Sequence, residues 1–217
     1  MDRKKEIIKT IHSIAGKYSA YEVFTDWIRC CSLSISNSCQ LIQDKVWHDR
    51  EQLYLDTINR YTKEEVVLFI KMLDMLCETL EDNVSDVLGE IYMEAGMGSK
   101  SAGQFFTPFH LSVLCAEMSL PKEDWEIYEI NEPSCGGGGM IIAAAVALKN
   151  RGIDYQRKMK VIAQDLDWKG VYMCYLQLSL LGIDAVVVQG NTLTEPYIDR
   201  YPPERTLRTP MNRGVLF

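Results

Sequence analysis

Residues 132–139 read Glu-Pro-Ser-Cys-Gly-Gly-Gly-Gly and separate a short β-rich run from an alanine-rich segment. Because glycine has no Cβ, a ligand can approach the backbone of such a turn, and open α/β sheets bind ligands at the carboxyl ends of their strands. The Lys and Ser or Thr that complete a phosphate-cradling loop are absent, which argues against a nucleoside triphosphatase. We call residues 135–138 the glycine turn; on its own, the pattern fits a ligand site and a plain loop equally well.

Two further polar positions follow predicted strands. Asp165 comes after the second β-rich run, where a carboxylate can accept hydrogen bonds from both hydroxyls of a ribose. Asp167 fits the plainer role of N-cap to the next helix. Asn191 follows the third run, where a polar side chain could meet the edge of a base. Each position alone is more often a turn residue, but together with the glycines they indicate a nucleoside ligand.

The predicted secondary structure that positions these residues changes near the middle of the chain, from helices alone to alternating strands and helices. Up to residue 96, apolar residues recur with helical period and predict four or five packed helices. Beyond it, β-rich runs at 126–130, 159–163 and 185–189 alternate with helical segments near 138–150 and 168–182. This order predicts a βαβαβ unit with right-handed crossovers and a parallel sheet. Residues 214–217 could begin a fourth strand.

Composition restricts the classes of function. A net charge of −7 and a pI near 5.1 argue against a free-standing nucleic-acid binder, so any DNA contact must be local or supplied by a partner. The seven cysteines form neither a C-x-x-C pair nor a zinc-type cluster, which predicts a reduced, cytoplasmic protein without structural metal. The sequence has no signal-type N-terminus and no apolar stretch of ~18 residues, so no membrane association is predicted.

Four motifs stand in order along the chain: GQFFTP at 103–108, EPSCGGGG at 132–139, AQDLD at 163–167 and GNTL at 190–193. They resemble GQFYTP, DPACGSGG, GQE-I-N and GDTL of the adenine-specific DNA methyltransferases typified by the modification subunit of type I restriction systems. The segment DVLGEIY at 86–92 is similar to the D-x-L-G-x-x-Y helix that precedes them. The resemblance covers roughly residues 85–193, and its ordered motifs make it specific.

The resemblance implies S-adenosylmethionine as cofactor and a place for each matching residue. The first motif would approach the amino-acid moiety, the glycine turn would lie beneath it, and Asp165 would bind the ribose. Leu166 would pack on the adenine ring and Asn191 would meet its amine. The cofactor-binding residues implied in this way are Gln104, Phe105, Thr107, Pro108, Glu132, Pro133, Ser134, Cys135, Gly136, Gly138, Asp165, Leu166 and Asn191. In the plainer interpretation, Phe105 and Phe106 are core residues and Cys135 is a small buried filler.

The chain also departs from the family pattern. The catalytic tetrapeptide, Asn or Asp followed by Pro-Pro and an aromatic residue, is absent: the one Pro-Pro pair, Pro202-Pro203, lies between Tyr201 and Glu204. No catalytic residue is therefore predicted. Glu132 and Asn191 also stand where the family usually has Asp, which preserves hydrogen bonding but alters charge.

The predicted fold class is α/β. A helical N-terminal domain, residues 1–98, precedes an abbreviated Rossmann-like S-adenosylmethionine-dependent methyltransferase domain with a parallel sheet, residues 99–217. By resemblance the reaction is methyl transfer to DNA adenine, without activity of this chain alone. The alternative is a non-catalytic cofactor-binding or interaction subunit. In either case DNA would be reached with a partner chain, a specificity subunit or a complementary methyltransferase half. A nicotinamide-dependent enzyme is disfavoured because the G-x-G-x-x-G spacing is missing.

Overall fold

The computed structural model describes residues 2–97, 106–196 and 202–215. Its contacts divide the chain into two compact units. The first comprises Met1–Asn83 and Val87–Phe105, and the second comprises Val84–Asp86 and Phe106–Phe217. Residues 84–86 therefore pack with the part of the chain that carries the glycine turn.

The first unit is helical, as the apolar periodicity predicts. Its described residues form five helices: α1 Arg3–Ile14, α2 Ala20–Ser38, α3 Lys45–Ile58, α4 Lys63–Asp82 and α5 Val87–Glu94. Ser19 and Thr62 open α2 and α4 with capping boxes, in which the glutamate at the third helical position bonds back to the cap. Ile7, Trp27 and Leu76 are fully buried and belong to the core of this unit.

A buried carboxylate ties α2 to the loop before α4. Asp26 accepts hydrogen bonds from Arg60 Nη1 at 2.6 Å and from the Tyr61 hydroxyl at 2.9 Å. Arg29, one turn along α2, adds a third bond at 3.1 Å. Burial and the neighbouring carboxylate raise the pKa of the Tyr61 phenol well above its usual value. The carboxylate is thus satisfied inside the unit, as a buried charge must be.

The second unit contains the predicted βαβαβ arrangement. Its strands are β1 Tyr128–Glu132, β2 Met159–Asp165, β3 Asp184–Gln189 and β4 Thr206–Arg208. They form a sheet in the order β1-β2-β3-β4, in which the first three strands are parallel and β4 is antiparallel to β3. Its helices are α6 Phe109–Ser119, α7 Gly139–Asn150, α8 Tyr155–Lys158 and α9 Trp168–Leu180. The parallel sheet and its crossover helices are confirmed.

Two strands differ from the expectation. β1 begins two residues late, because Trp125 stacks on Tyr128 and the Tyr128 hydroxyl bonds to the Glu123 carbonyl, which holds residues 123–127 in a loop. A fourth strand that the sequence did not indicate lies at Thr206–Arg208. Of the strand expected to begin at 214–217, Gly214 ends a 3-10 turn with φ +73°, and residues 216–217 lie outside the described part. Buried Thr209 fixes this segment, since its hydroxyl donates to the Ile183 carbonyl at 2.7 Å.

No helix among residues 2–97, 106–196 and 202–215 has both the length and the apolar character needed to cross a membrane.

Candidate functional site

Backbone hydrogen bonds join the carboxyl ends of the three parallel strands. Cys135 N–H donates to the Gln164 carbonyl at 2.8 Å, which links the glycine turn to the end of β2. Gly190 N–H donates to the Asp165 carbonyl, also at 2.8 Å, which links the end of β3 to the same point. Three of the four sequence motifs therefore meet at one edge of the sheet, where open α/β sheets place their ligands.

The glycine turn has a backbone conformation that side chains rarely adopt. Gly136 has φ +50° and Gly138 has φ +91°, both in the left-handed region. A Cβ on Gly136 would lie 2.8 Å from Cε1 of Phe106, and one on Gly138 would lie 3.2 Å from Sγ of Cys174. Helix α7 starts directly after the turn, and its N-cap position is Gly138, which has no side chain to cap it.

Asp165 connects the end of β2 to the glycine turn. Its Oδ2 accepts the Gly136 N–H at 2.8 Å, and its Oδ1 accepts the Asp167 N–H at 2.9 Å. Gly170 on α9 allows this close approach, since a Cβ there would lie 3.2 Å from the Asp165 carboxyl carbon. A carboxylate offers about four acceptor positions. Two donors fix the half-buried group, and acceptor capacity remains for the hydroxyls of a ligand.

The neighbouring positions supply an apolar surface and turn contacts. Leu166, directly after Asp165, is 65% exposed. Asn191 Oδ1 accepts the Leu193 N–H at 3.0 Å, and Glu132 Oε1 accepts the Ser134 N–H at 3.2 Å. Both side chains thus stabilise their own turns at the sheet edge. The hydroxyl of Thr192 donates to the carbonyl of Pro133 at 2.6 Å and joins these two turns.

Cys135 lies inside the protein. It is buried, and a hydrogen bond with Cys174 together with this burial raises the pKa of its thiol well above the usual value. The side chain is therefore a neutral thiol packed beneath the turn. Its contribution to a ligand site can come only from its backbone.

The first motif reaches the glycine turn through Phe106. Its half-buried ring lies over Gly136, while Thr107 and Pro108 are exposed and lead into α6. Gln104 and Phe105 lie outside the described residues. Phe106 was not among the predicted site residues, because an aromatic residue next to Phe105 is as typical of the hydrophobic core as of a ligand site.

A second contact that the sequence did not indicate stabilises the glycine turn on its buried side. Nε2 of buried Gln177 donates to Asp86 Oδ1 and to the Gly137 carbonyl, both at 2.8 Å. Oδ2 of Asp86 lies 2.8 Å from the place where a Cβ on Gly139 would be. Asp86 belongs to the motif at 86–92. The sequence did not indicate a contact of Gln177 with the turn, because a single polar residue in a helix usually faces solvent.

The arrangement fits S-adenosylmethionine in its donor and acceptor groups. A ribose needs a hydrogen-bond acceptor and an adenine ring needs an apolar surface. The end of β2 carries a carboxylate, Asp165, and next to it the exposed Leu166. At residues 136–138 the places that a Cβ would take are bordered by Phe106, Met173 and Cys174, so the glycines let the turn pack closely against these side chains. Within the described part of the chain, no three His, Cys, Asp or Glu side chains converge on a metal site.

Comparisons with known proteins agree with this geometry. Residues 83–207 match the family of N-6 DNA methylases. The methylase subunit of the type I restriction enzyme MpnII of Mycoplasma pneumoniae is 25% identical over 146 residues, 64% of this chain and 26% of the relative. The methylase subunit of the type I enzyme MjaIX of Methanocaldococcus jannaschii is 30% identical over 110 residues, 48% of this chain and 19% of the relative. The chain thus spans about a quarter or less of the length of these relatives.

A solved structure supports the fold. A Listeria monocytogenes protein assigned to the class I S-adenosylmethionine-dependent methyltransferases superposes with a TM-score of 0.52 at 12% identity, over 92% of this chain and 57% of that protein. At this identity the likeness concerns the fold alone. With a family match over residues 83–207, the chain belongs to the N-6 DNA methylase family, whose cofactor is S-adenosylmethionine, and within it resembles the methylase subunits of type I restriction enzymes.

Proposed function

We propose that this chain binds S-adenosylmethionine at the carboxyl edge of the sheet and takes part in methyl transfer to DNA adenine only together with a partner polypeptide. The observation that carries the binding site is the bond from Gly136 N–H to Asp165 Oδ2 at 2.8 Å, which brings an acidic strand end and a glycine turn into one site. Seven free cysteines support a place in the reducing cytoplasm.

Each side of the cofactor has residues that suit it. Asp165 accepts hydrogen bonds from the ribose hydroxyls, Leu166 packs against the adenine ring, and Asn191 meets the adenine amine. The glycine turn, with Glu132, Pro133 and Ser134 before it, lies beneath the methionine part. Thr107 and Pro108 of the first motif follow Phe106, whose ring lies over Gly136, and cover that part from the other side. The cofactor supplies the electrophilic methyl group, so these residues position it and shield it from water.

Partner dependence follows from the chemistry of the target amine. The lone pair of an adenine amine is delocalised into the ring, so transfer requires acceptors that hold the two amine protons as the nitrogen changes geometry. A flipped base must also be caught by stacking, because its extrusion costs a few kcal/mol. In the family, the tetrapeptide Asn/Asp-Pro-Pro-aromatic does both. These 217 residues do not contain it. In this proposal the groups that hold the amine and the flipped base come from outside these residues.

A non-catalytic role is the second candidate. Glu132 and Asn191 stand where the family usually has Asp, and both bond within their own turns. A subunit that binds cofactor and recruits a specificity subunit would tolerate both departures. Reconstitution of methyl transfer by addition of a tetrapeptide-bearing polypeptide separates the candidates, because only the catalytic one predicts that activity appears.

Calorimetric titration with S-adenosylmethionine tests the binding site. We expect Asp165→Ala to weaken binding by about 1–3 kcal/mol, because the ribose loses its charged acceptor. Asp154→Ala is the matched control: Asp154 also accepts a backbone N–H, that of Gln156 at 3.1 Å, but caps the short helix α8. Equal affinities of the wild type and Asp165→Ala would remove Asp165 from the site.

Transfer of a labelled methyl group tests partner dependence. The purified 217-residue chain, saturated with cofactor, should leave unmethylated DNA unlabelled because it carries no acceptor for the protons of the amine. Label entering DNA with this chain alone, and lost with Asp165→Ala, would show that another residue replaces the tetrapeptide and would contradict the proposal.

A further inference from the structure

A polar cleft lies between α2 and α3 of the first unit. It has a volume of about 380 Å³. Two packed helices normally bury apolar side chains against each other, but here both helices contribute polar residues to the cleft. They are Ser34, Asn37 and Ser38 from α2, and Trp47, Glu51 and Tyr54 from α3. Packing alone does not explain this lining, so we consider a ligand.

Helical spacing places the lining residues of α3 on one side of that helix. Trp47, Glu51 and Tyr54 stand at positions i, i+4 and i+7, which fall on the same face. All three side chains are half-buried. The α3 side of the cleft therefore carries a carboxylate with an aromatic ring on the helical turn before it and another on the turn after it.

Asn37 on α2 holds two of these groups in place. Its side chain is 6% exposed, and its Nδ2 donates to Glu51 Oε2 at 3.0 Å and to the Trp47 carbonyl at 3.2 Å. In return, the indole Nε1 of Trp47 donates to the Asn37 carbonyl at 3.1 Å. The ring and the carboxylate are thus fixed before a ligand arrives, which lowers the entropy that binding costs.

The carboxylate of Glu51 has no cation of its own. Within residues 2–97, 106–196 and 202–215 it accepts the bond from Asn37 and forms no ion pair. Arg50, the next residue along α3, is buried and donates to Gln40 Oε1 at 3.1 Å. Asn37 Oδ1 has no donor in the same described ranges. The cleft therefore has one negative charge and acceptors without donors, and its described lining includes neither Lys nor Arg.

These groups together select the chemical class of the ligand. A half-buried carboxylate attracts a positive charge, and the faces of Trp and Tyr rings attract organic cations. The unmet acceptors suit a ligand with several N–H donors. A phosphate or carboxylate would be repelled by Glu51. A divalent metal ion would need several charged oxygen ligands, whereas Glu51 is the one carboxylate among the described lining residues.

We propose that the cleft between α2 and α3 binds an organic cation, a guanidinium or alkylammonium group. Glu51 is its counter-ion and accepts its N–H groups, and the rings of Trp47 and Tyr54 contact its apolar faces. This site lies in the helical unit and takes a ligand other than the one assigned to the glycine turn. The inference therefore goes beyond the proposed function and does not rest on it.

Two sources can supply such a cation, a basic side chain of another polypeptide and a free amine. The loop between α2 and α3 bears on the choice, because its Leu41 and Ile42 are 98% and 74% exposed. They lie between Gln40 and Gln43, which also line the cleft. Apolar residues beside an Arg or Lys side chain would contact this pair, and a small diamine would not. We therefore expect the peptide acetyl-Leu-Arg-Leu-amide to bind about tenfold more tightly than putrescine.

NMR titration of the isotopically labelled 217-residue chain measures the binding. The signals to follow are the indole N–H of Trp47 and the side-chain amide of Asn37, because both groups take part in the hydrogen bonds of the cleft. We expect both signals to shift saturably with acetyl-Leu-Arg-Leu-amide. The same peptide with citrulline in place of arginine, which has nearly the same shape without the charge, should shift neither.

The variant Glu51→Gln should weaken binding about tenfold, because a charge-assisted bond is lost. Glutamine keeps an acceptor for Asn37, so the cleft should stay folded. Glu64→Gln changes net charge equally at an exposed position of α4 and should leave the affinity unchanged.

The double variant Leu41→Ser/Ile42→Ser distinguishes the two sources. A loss of peptide affinity with unchanged putrescine affinity supports a basic side chain as the ligand. Equal affinities of peptide and putrescine, both unaffected by this variant, would assign the cleft to a free amine and still support a cation site. The proposal is overturned if neither probe shifts the two signals at millimolar concentration, or if Glu51→Gln binds both probes as tightly as the wild type.

Discussion

A substitution at Gly136 is expected to change both the stability of the backbone and the binding of the ligand, and a matched glycine elsewhere separates the two effects. The φ of +50° at Gly136 and the nearby ring of Phe106 both disfavour a side chain. Gly152 is a matched control, with φ +75° and nothing within 4 Å of an added Cβ. We expect Gly152→Ala to lower the free energy of unfolding by about 1–2 kcal/mol from backbone strain, and Gly136→Ala to lower it further, because the ring of Phe106 must also shift. Only Gly136→Ala should also lower the affinity for S-adenosylmethionine, measured by calorimetry on folded protein. Equal affinities in the two variants would place the cofactor elsewhere.

Single residues were predictable where backbone chemistry alone selects them. A glycine turn after a strand and an acid after the next strand have few alternatives, and the structure places both at one edge of the sheet. Phe106 and Gln177 were not predictable, because their roles depend on contacts between elements far apart in the sequence. Residue type did not distinguish them from ordinary core and surface positions.

Among the elements of the second unit, Gln177 holds the middle of α9 to Asp86 and to the glycine turn. Asp86→Ala should leave the Gln177 amide with one acceptor fewer, lower the free energy of unfolding by about 1–3 kcal/mol and weaken S-adenosylmethionine binding. Asp26→Ala, which removes a comparably buried carboxylate from the first unit, should lower stability by about 3 kcal/mol or more and leave cofactor affinity unchanged. Chemical denaturation and calorimetry measure the two effects. If Asp86→Ala destabilises without changing affinity, the contact is purely structural.

Elements were predictable from periodicity, but their ends and edges were not. The helices of the first unit and the βαβαβ order follow from the spacing of apolar residues. The start of β1 depends on how Trp125 and Tyr128 stack, and β4 depends on the bonds of Thr209, which no local pattern announces. A three-residue antiparallel strand between prolines has the local sequence pattern of a loop.

For the whole molecule, the net charge of −7 is the property that bears on DNA binding. It predicts that the chain binds DNA weakly by itself, because its overall charge repels the phosphates. The chain spans about a quarter or less of the length of the type I methylase subunits that it matches.

The central claim is that S-adenosylmethionine binds at the glycine turn. Amide NMR of the isotopically labelled chain tests it most directly, through a titration with the cofactor and a parallel one with NAD. We expect S-adenosylmethionine to shift the amide signals of Gly136, Gly137 and Gly138, together with those of Leu166 and Asn191. NAD should shift none of them. Shifts confined to the helices of the first unit, or no shift at millimolar cofactor, would contradict it.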